Sequence, residues 1–213
     1  MKKYLVIGNP IEHSLSPKLH NYWIKKNNID AIYDKKQINE KDIEFIINEI
    51  KNELISGVNV TIPFKKSVIP FVDELTTEAS NSQSVNTIYF RNGKVIGHNT
   101  DTSGFELGIK YSKYNVQDKI VFILGAGGVV SSIIIALKKM GVAKIIISNR
   151  SRDKAEDLKK TYKDLEVIDW GETPNFDMII NATSIGLKNE DGIKLDYSLI
   201  EPNKFFYDVI YNP

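Results

Sequence analysis

Short β-rich runs alternate along the chain with stretches whose apolar residues recur at helical spacing. Tyr4–Ile7 is an apolar run that stops at Gly8-Asn9-Pro10. In Pro17–Lys26, Leu19, Tyr22 and Trp23 fall at i, i+3 and i+4. Ser16 before Pro17 reads as an N-cap followed by a first-turn proline. Ala31–Lys35 is a weaker strand. Asp42–Leu54 repeats Ile43, Ile46, Ile47, Ile50 and Leu54, one apolar stripe of helical period. Val58–Thr61 is a short strand that runs into Pro63, and Val68–Leu75 with the segment after it reads as helical or irregular. Thr87–Phe90 and Lys94–Gly97 flank Arg91-Asn92-Gly93, the signature of a β-hairpin with an Asn-Gly turn.

The alternation tightens in the second half. Lys119–Leu124 is a buried-type strand, Gly125–Gly128 a glycine loop, and Val129–Met140 a helix ended by Gly141. Ala143–Ser148 is a second buried-type strand, followed by a charged helix at Arg152–Tyr162 and strands at Glu166–Ile168, Met178–Ile180 and Phe205–Val209. Strands alternating with helices predict an α/β protein built from βαβ units with largely parallel sheets. A helix within Thr100–Asn115 is expected to bridge two units. That gives an open, mostly parallel α/β domain over 1–101 and a Rossmann-type dinucleotide domain over 102–213.

Composition narrows the chemistry. The 213 residues carry a formal net charge of +1, too little to draw the chain to nucleic acid or an anionic membrane. There is no Cys, which excludes disulfides, a Cys-ligated metal site and a Cys nucleophile, and fits a reducing compartment. The N-terminal apolar run is too short for a signal-peptide core, and no run approaches a membrane span. A soluble cytoplasmic protein with a small-molecule substrate is expected. No metal is called for, and a homodimer is the assembly to test.

The strand Lys119–Leu124, the loop Gly125-Ala126-Gly127-Gly128 and the apolar helix behind it have the order of a dinucleotide-binding turn. Gly125 permits the tight turn, Gly127 lets backbone approach a pyrophosphate, and the helix N-terminus offers N–H groups to the anion. Val130 stands at the third glycine position, so an ordinary βα turn is the competing reading. At the end of the next strand, where an NAD site carries an acid, the chain reads Asn149-Arg150-Ser151-Arg152 with Lys154 beyond. Only three of the 28 basic residues are Arg, and two of them fall here. A guanidinium fork suits a 2′-phosphate, which favours NADP over NAD; the alternative is a solvated basic helix start.

Polar side chains collect at the ends of the predicted N-terminal strands: Ser14, Ser16, Asn59, Thr61, Asn86 and Asp101. Lys65, expected to open a helix after Pro63-Phe64, joins them. Ligands of open parallel sheets bind outside such strand ends, and hydroxyls, an amide, a Lys and a carboxylate suit a small polyhydroxylated acid. Each also has a plainer reading. Lys65 could be a solvated surface lysine, Ser14, Ser16 and Asn86 turn or capping residues, and Asp101 an N-cap.

The stretches GNPIEHSLSPKLHN (8–21), NVTIPFK (59–65), VNT (85–87), NTD (99–101), GAGG (125–128), SNRS (148–151), NATSIG (181–186) and DVIYNP (208–213) are co-linear across the whole chain. In order and spacing they resemble the shikimate dehydrogenase family. The resemblance implies two α/β domains around a cleft and NADP-dependent, reversible reduction of 3-dehydroshikimate to shikimate in aromatic amino acid (chorismate) biosynthesis. It implies Ser14 and Ser16 on the substrate carboxylate and Asn59, Thr61, Asn86 and Asp101 on ring hydroxyls. Tyr211 matches the family's substrate tyrosine. Lys65 matches the catalytic lysine, with Asp101 as its partner. Gly125, Ala126, Gly127, Gly128 and Val129, then Asn149, Arg150, Ser151, Arg152 and Lys154, and Val209, align with NADP contacts. Thr183 lies where the family approaches the nicotinamide. The chemistry fits independently. Ketone reduction needs a proton on oxygen as well as a hydride on carbon, and a Lys ammonium can donate it; in reverse, neutral Lys accepts it.

The sequence departs from the family in two places. Gln83-Ser84 stands where the family usually has Gly-Ala before VNT. Family members also continue well beyond the point matching Pro213. That tail supplies a glycine, a substrate-contacting glutamine and helices that close the first domain, so the resemblance implies a first sheet with bare apolar surface. Two alternatives to the main reading follow: a quinate/shikimate dehydrogenase using NAD, and a non-catalytic module that binds NADP or shikimate.

Overall fold

The computed structural model describes residues 1–186, 192, 193, 195, 196, 198 and 200–210. The chain forms two compact units, Met1–Asp101 and Thr102–Pro213.

The first unit runs β1 (Lys2–Gly8), α1 (Ser16–Lys26), β2 (Ala31–Gln37), α2 (Ile43–Lys51), β3 (Gly57–Val60), β4 (Glu74–Leu75), α3 (Thr77–Ser82), β5 (Thr87–Arg91) and β6 (Lys94–His98). Its sheet has the order β2-β1-β3-β5-β6-β4. β1 is parallel to β2 and β3, and β4 is parallel to β6. β5 is antiparallel to β3 and β6. The C-terminal ends of β1, β3 and β6 and the N-terminal end of β5 therefore lie along one edge of the sheet.

The main core of this unit packs Ile43, Ile46, Ile47 and Ile50 of α2 with Leu5, Ile7, Val58, Val60 and Ile88 of the sheet. At i, i+3, i+4 and i+7 these isoleucines share one helix face. Leu54, assigned by periodicity to the same stripe, lies past the end of α2 and is exposed. The helix stops because Glu53 takes a left-handed φ of 58°. The hairpin turn forms as expected, with Asn92 at φ 53° and Gly93 at φ 77°, the positive pair a type I′ turn requires.

Two local expectations are corrected. Ser16 does not cap α1: it is the first helical residue, Leu15 holds the cap position, and no side chain caps it. Instead the Ser16 amide donates to Ser14 Oγ at 3.3 Å. Nor does Lys65 open a helix. It lies in successive turns, with Phe64 N donating to Thr61 O at 3.0 Å and Val68 N to Phe64 O at 3.1 Å, before a 3-10 turn at Ile69–Phe71. Pro70 lacks the amide that a helix continuing from Lys65 would need to donate to Lys66 O.

The second unit contains β7 (Ile120–Leu124), α5 (Val130–Lys139), β8 (Lys144–Ser148), α6 (Arg152–Thr161), β9 (Glu166–Ile168), β10 (Met178–Asn181) and β11 (Phe205–Asp208). The helix α4 (Asp101–Tyr111) begins at the division between the units. The sheet order is β11-β10-β7-β8-β9, with every pair parallel. β7 and β10 are buried along nearly their whole length, as parallel strands covered on both faces are. α5 buries Val130, Ile133, Ile134, Ala136 and Leu137 against them. The chain passes from β7 to β8 and β9 on one side and then crosses to β10 and β11 on the other, so the C-terminal end of β7 is the crevice where such sheets bind ligands. No helix among the described residues is long and apolar enough to cross a membrane.

Candidate active site

Lys65 reaches the sheet edge from the turn after β3, and Asp101 from the first turn of α4 after β6. Lys65 Nζ donates to Asp101 Oδ2 at 2.6 Å, with the side chains 14% and 20% exposed. The turns that present Lys65 are tied to the sheet by Val85 N, which donates to Lys65 O at 2.8 Å. Asp101 is placed by its neighbours. Its amide donates to Asn99 Oδ1 at 2.9 Å, and the buried Asn99 donates through Nδ2 to Ser84 O at 2.9 Å. A carboxylate in the first helical turn is also favoured by the free amides and dipole of the helix N-terminus.

Asn86, nearly buried, closes the group. Its Nδ2 donates to Asp101 Oδ1 and to Thr100 Oγ1, each at 2.8 Å. Its Oδ1 accepts from Thr100 N and Thr87 Oγ1, each at 3.0 Å. Asn59 lies beside it, donating to Thr87 Oγ1 at 3.1 Å and Asn86 O at 3.3 Å, while its Oδ1 accepts from the Tyr33 hydroxyl at 2.7 Å. Thr61 continues β3, its amide donating to Ile7 O at 2.9 Å. The structure thus brings Ser14, Ser16, Asn59, Thr61, Lys65, Asn86 and Asp101 to one edge of one sheet. Lys65 is not a solvated surface lysine. Asp101 spends its carboxylate on Lys65 and Asn86.

In the second unit, Gly125 takes φ +108°, and a Cβ there would stand 2.7 Å from Ala182 O. Only glycine suits so tight a turn against the chain leaving β10. Gly127 is exposed, and a Cβ on it would meet only Ala182 O, at 4.0 Å, so its backbone face is open. Gly128 and Val129 lead into the first turn of α5, where helix amides point away from the helix body. Asn149 ties this loop to the end of β8: its Oδ1 accepts from Ala126 N at 3.1 Å and its Nδ2 donates to Ser151 O at 2.7 Å. Arg150 is exposed and forms no ion pair with the described residues. Arg152 behaves differently, pairing with Asp169 and, at 3.3 Å, with Glu156. Lys154 is exposed on α6.

At the end of β10, Asn181 Oδ1 accepts from the Thr183 amide at 3.1 Å and its hydroxyl at 2.7 Å. Asn181 Nδ2 donates to Ile185 O at 3.1 Å and Asp208 Oδ2 at 3.0 Å, and Val209 N donates to Asn181 O at 3.1 Å. Thr183 and Val209 are thus fixed on either side of one buried amide. Tyr211 lies outside the described residues. No group of three or more His, Asp or Glu among them could hold a metal.

Sequence reasoning missed Tyr33, Asn99, Thr100 and Asn181 as contributors. Thr100 and Asn99 sit in the NTD stretch and Asn181 opens NATSIG, so motif membership could have found them. Tyr33 carries no local signal.

The family model described as the shikimate dehydrogenase substrate binding domain matches residues 6–88, and that described as shikimate / quinate 5-dehydrogenase matches residues 108–187. The NADP(+) shikimate dehydrogenase of Pelagibacter ubique is 61% identical over 212 residues, an alignment spanning 100% of this chain and 80% of that protein. The crystal structure of shikimate dehydrogenase from Aquifex aeolicus matches with a TM-score of 0.89 at 36% identity, covering 100% of this chain and 80% of that one. A Thermus thermophilus shikimate 5-dehydrogenase in complex with NADP(H) and shikimate matches with a TM-score of 0.89 at 26% identity and the same coverage.

Proposed function

The chain belongs to the shikimate dehydrogenase family, and from that we propose that it catalyses the reversible, NADP-linked reduction of 3-dehydroshikimate to shikimate, a step in aromatic amino acid biosynthesis. Residues 1–101 form the substrate-binding and catalytic part, and 102–213 the NADP-binding part. The observation that carries the reading is the withdrawn Lys65–Asp101 pair, held by Asn86 among hydroxyl and amide groups at one sheet edge.

The residues present suit NADP. The open backbone of Gly127, with Gly125, Ala126, Gly128 and Val129 at the helix start, would take the pyrophosphate. Asn149, Arg150, Ser151, Arg152 and Lys154 would surround the 2′-phosphate, with Arg150 the uncommitted guanidinium. Thr183 and Val209 would flank the nicotinamide. When bound, the cofactor supplies or accepts the hydride.

The remaining work falls to side chains of the first unit. Ser14 and Ser16 hold the substrate carboxylate, and Asn59, Thr61, Asn86 and Asp101 the ring hydroxyls, with Tyr211 as a further contact. In reduction Lys65 Nζ gives its proton to the carbonyl oxygen and its positive charge offsets the negative charge developing there. In oxidation a neutral Lys65 Nζ takes the hydroxyl proton. Asp101 keeps the amine aimed, since its other oxygen is anchored by Asn86.

The cytoplasm is the proposed location, which the cysteine-free composition suits. A homodimer is the proposed assembly, to be read by sedimentation. Incubating the chain with shikimate and NADP should generate the near-ultraviolet absorbance of reduced nicotinamide. Faster turnover of quinate with NAD would contradict the assignment, as would binding of NADP and shikimate without turnover.

A further inference from the structure

The chain leaving β10 passes directly over the glycine turn at the end of β7. Ala182 N donates to Leu124 O at 2.8 Å, and Ala182 O is the atom that would stand 2.7 Å from a Cβ on Gly125. The chain leaving β11 runs beside it. Val209 N donates to Asn181 O at 3.1 Å, and a Cβ on Gly186 would meet the Ile210 side chain at 3.6 Å. These two segments carry Thr183 and Val209 into the crevice, and the side chain of Asn181 joins them.

Asn181 is 7% exposed, and the sense of each of its hydrogen bonds is forced. The Thr183 amide can only donate, so it must face Oδ1, at 3.1 Å. Ile185 O and a carboxylate can only accept, so Ile185 O and Asp208 Oδ2 must face Nδ2, at 3.1 Å and 3.0 Å. The Thr183 hydroxyl gives its proton to Asn181 Oδ1 at 2.7 Å and accepts from Ile185 N at 3.0 Å. Asp208 Oδ1 accepts from Ile210 N at 2.8 Å, so each carboxylate oxygen has its own donor. One planar amide thus fastens the segment after β10 to the segment after β11. It needs an acceptor on one side and a donor on the other, which a carboxylate or an apolar side chain of the same size does not supply.

We propose that Asn181 is a positioning residue for the dinucleotide, with Asp208 as its partner: together they hold the segments carrying Thr183 and Val209 at the spacing the nicotinamide half requires. This rests on the NADP reading, because only there do Thr183 and Val209 flank a ligand. Asn181 and Asp208 touch no part of the cofactor in this account. They act through the backbone of the two segments, so their loss should weaken the nicotinamide half of the site and spare the phosphate half around Gly127 and Arg150.

The test uses the full chain and two ligands, NADP and adenosine 2′,5′-bisphosphate, which has the 2′-phosphate but no nicotinamide. Affinities are read by titration calorimetry without turnover. Asn181→Asp keeps the shape and the acceptor but sets oxygen against Ile185 O and charge against Asp208. The Kd for NADP should rise about 10–100-fold, with the Kd for the bisphosphate within about twofold of the parent. Combining it with Asp208→Asn puts the NH2 on the other partner, and NADP affinity should return to within about fivefold of the parent. Unchanged NADP affinity in a folded Asn181→Asp chain overturns the inference, as does an equal loss for both ligands or a double variant no better than the single. If Asn181→Asp is unfolded by circular dichroism, Asp208→Asn alone decides. It offers one oxygen where Asn181 Nδ2 and Ile210 N need two, so NADP should bind about 3–10-fold more weakly and the bisphosphate as before, and an unchanged NADP affinity again overturns the inference. A parent chain that binds neither ligand removes the NADP reading and this inference with it, whereas a parent that binds both and variants that match it remove the inference alone.

Discussion

Lys65 and Asp101, 36 positions apart in the chain, meet at 2.6 Å with their side chains mostly withdrawn from water. The second oxygen of Asp101 is held by Asn86 at 2.8 Å, so the carboxylate cannot swing away from the amine without giving up a second bond. Asp101→Asn keeps the shape and removes the charge. A hydrogen bond to a charged group contributes about 1.5–3 kcal/mol, so kcat for shikimate oxidation should fall about 10–100-fold. Steady-state kinetics read the change, and a kcat within twofold of the parent would show that Asp101 does not act through Lys65.

The two arginines after β8 are not equivalent. Arg152 is paired with Asp169 and Glu156, whereas Arg150 forms no ion pair with the described residues. Arg150→Ala should therefore raise the KM for NADP about tenfold or more and narrow the preference for NADP over NAD, because a phosphate contact is lost. Arg152→Ala should have the smaller effect on both. The reverse order in measured constants for the two cofactors would place the phosphate on Arg152.

Gln83 ends α3 in the left-handed conformation, at φ 48°, a backbone region that favours glycine. A residue with a Cβ in that conformation costs about 1–2 kcal/mol, and here the Gln83 side chain recovers part of this by donating to Ser80 O at 2.7 Å. Gln83→Gly should add about 0.5–1 kcal/mol of stability, a rise of roughly 1–4 °C in Tm. A drop in midpoint on thermal or urea unfolding would mean the side-chain bond outweighs the strain.

Burial against Tyr33 pushes the His20 imidazole below its ordinary value of 6.5. A lowered folded value means the unfolded chain binds the proton more readily, so the stability His20 contributes is present above 6.5 and is lost as pH falls through the folded value. Tm should decline as pH falls below the ordinary value of 6.5, and the decline should flatten in His20→Phe, which keeps a stacked ring without the titration. An identical slope in the two proteins would remove His20 from the account.

Much of this was legible in the sequence, for reasons that differ by element. The α2 stripe and the strand–glycine–helix turn at β7 are local patterns with one physical solution, and both formed. Ser16 before Pro17 has the pattern of an N-cap, but Ser16 is itself the first helical residue, and Ser14, two residues earlier, accepts from its amide. The helix expected at Lys65 does not form because Pro70, five residues on, has no amide to continue it, and the segment settles into turns. The pairing of Lys65 with Asp101 could come only from family resemblance, since nothing local links a turn after β3 to the start of α4. Tyr33 was invisible for a related reason. An aromatic residue on a weak edge strand reads as packing until Asn21, His20 and Asn59 are seen to fix its three polar and aromatic groups.

The central claim is that the Lys65 amine moves the proton while the bound dinucleotide handles the hydride. The most direct measurement compares initial rates of reduced-nicotinamide formation from shikimate and NADP for the parent chain and Lys65→Ala, with shikimate and NADP affinities determined in parallel. General acid–base catalysis predicts a kcat lower by about 10²–10⁴-fold, with both ligands still bound at near-parent affinity. A Lys65→Ala protein that turns over at the parent rate would contradict it.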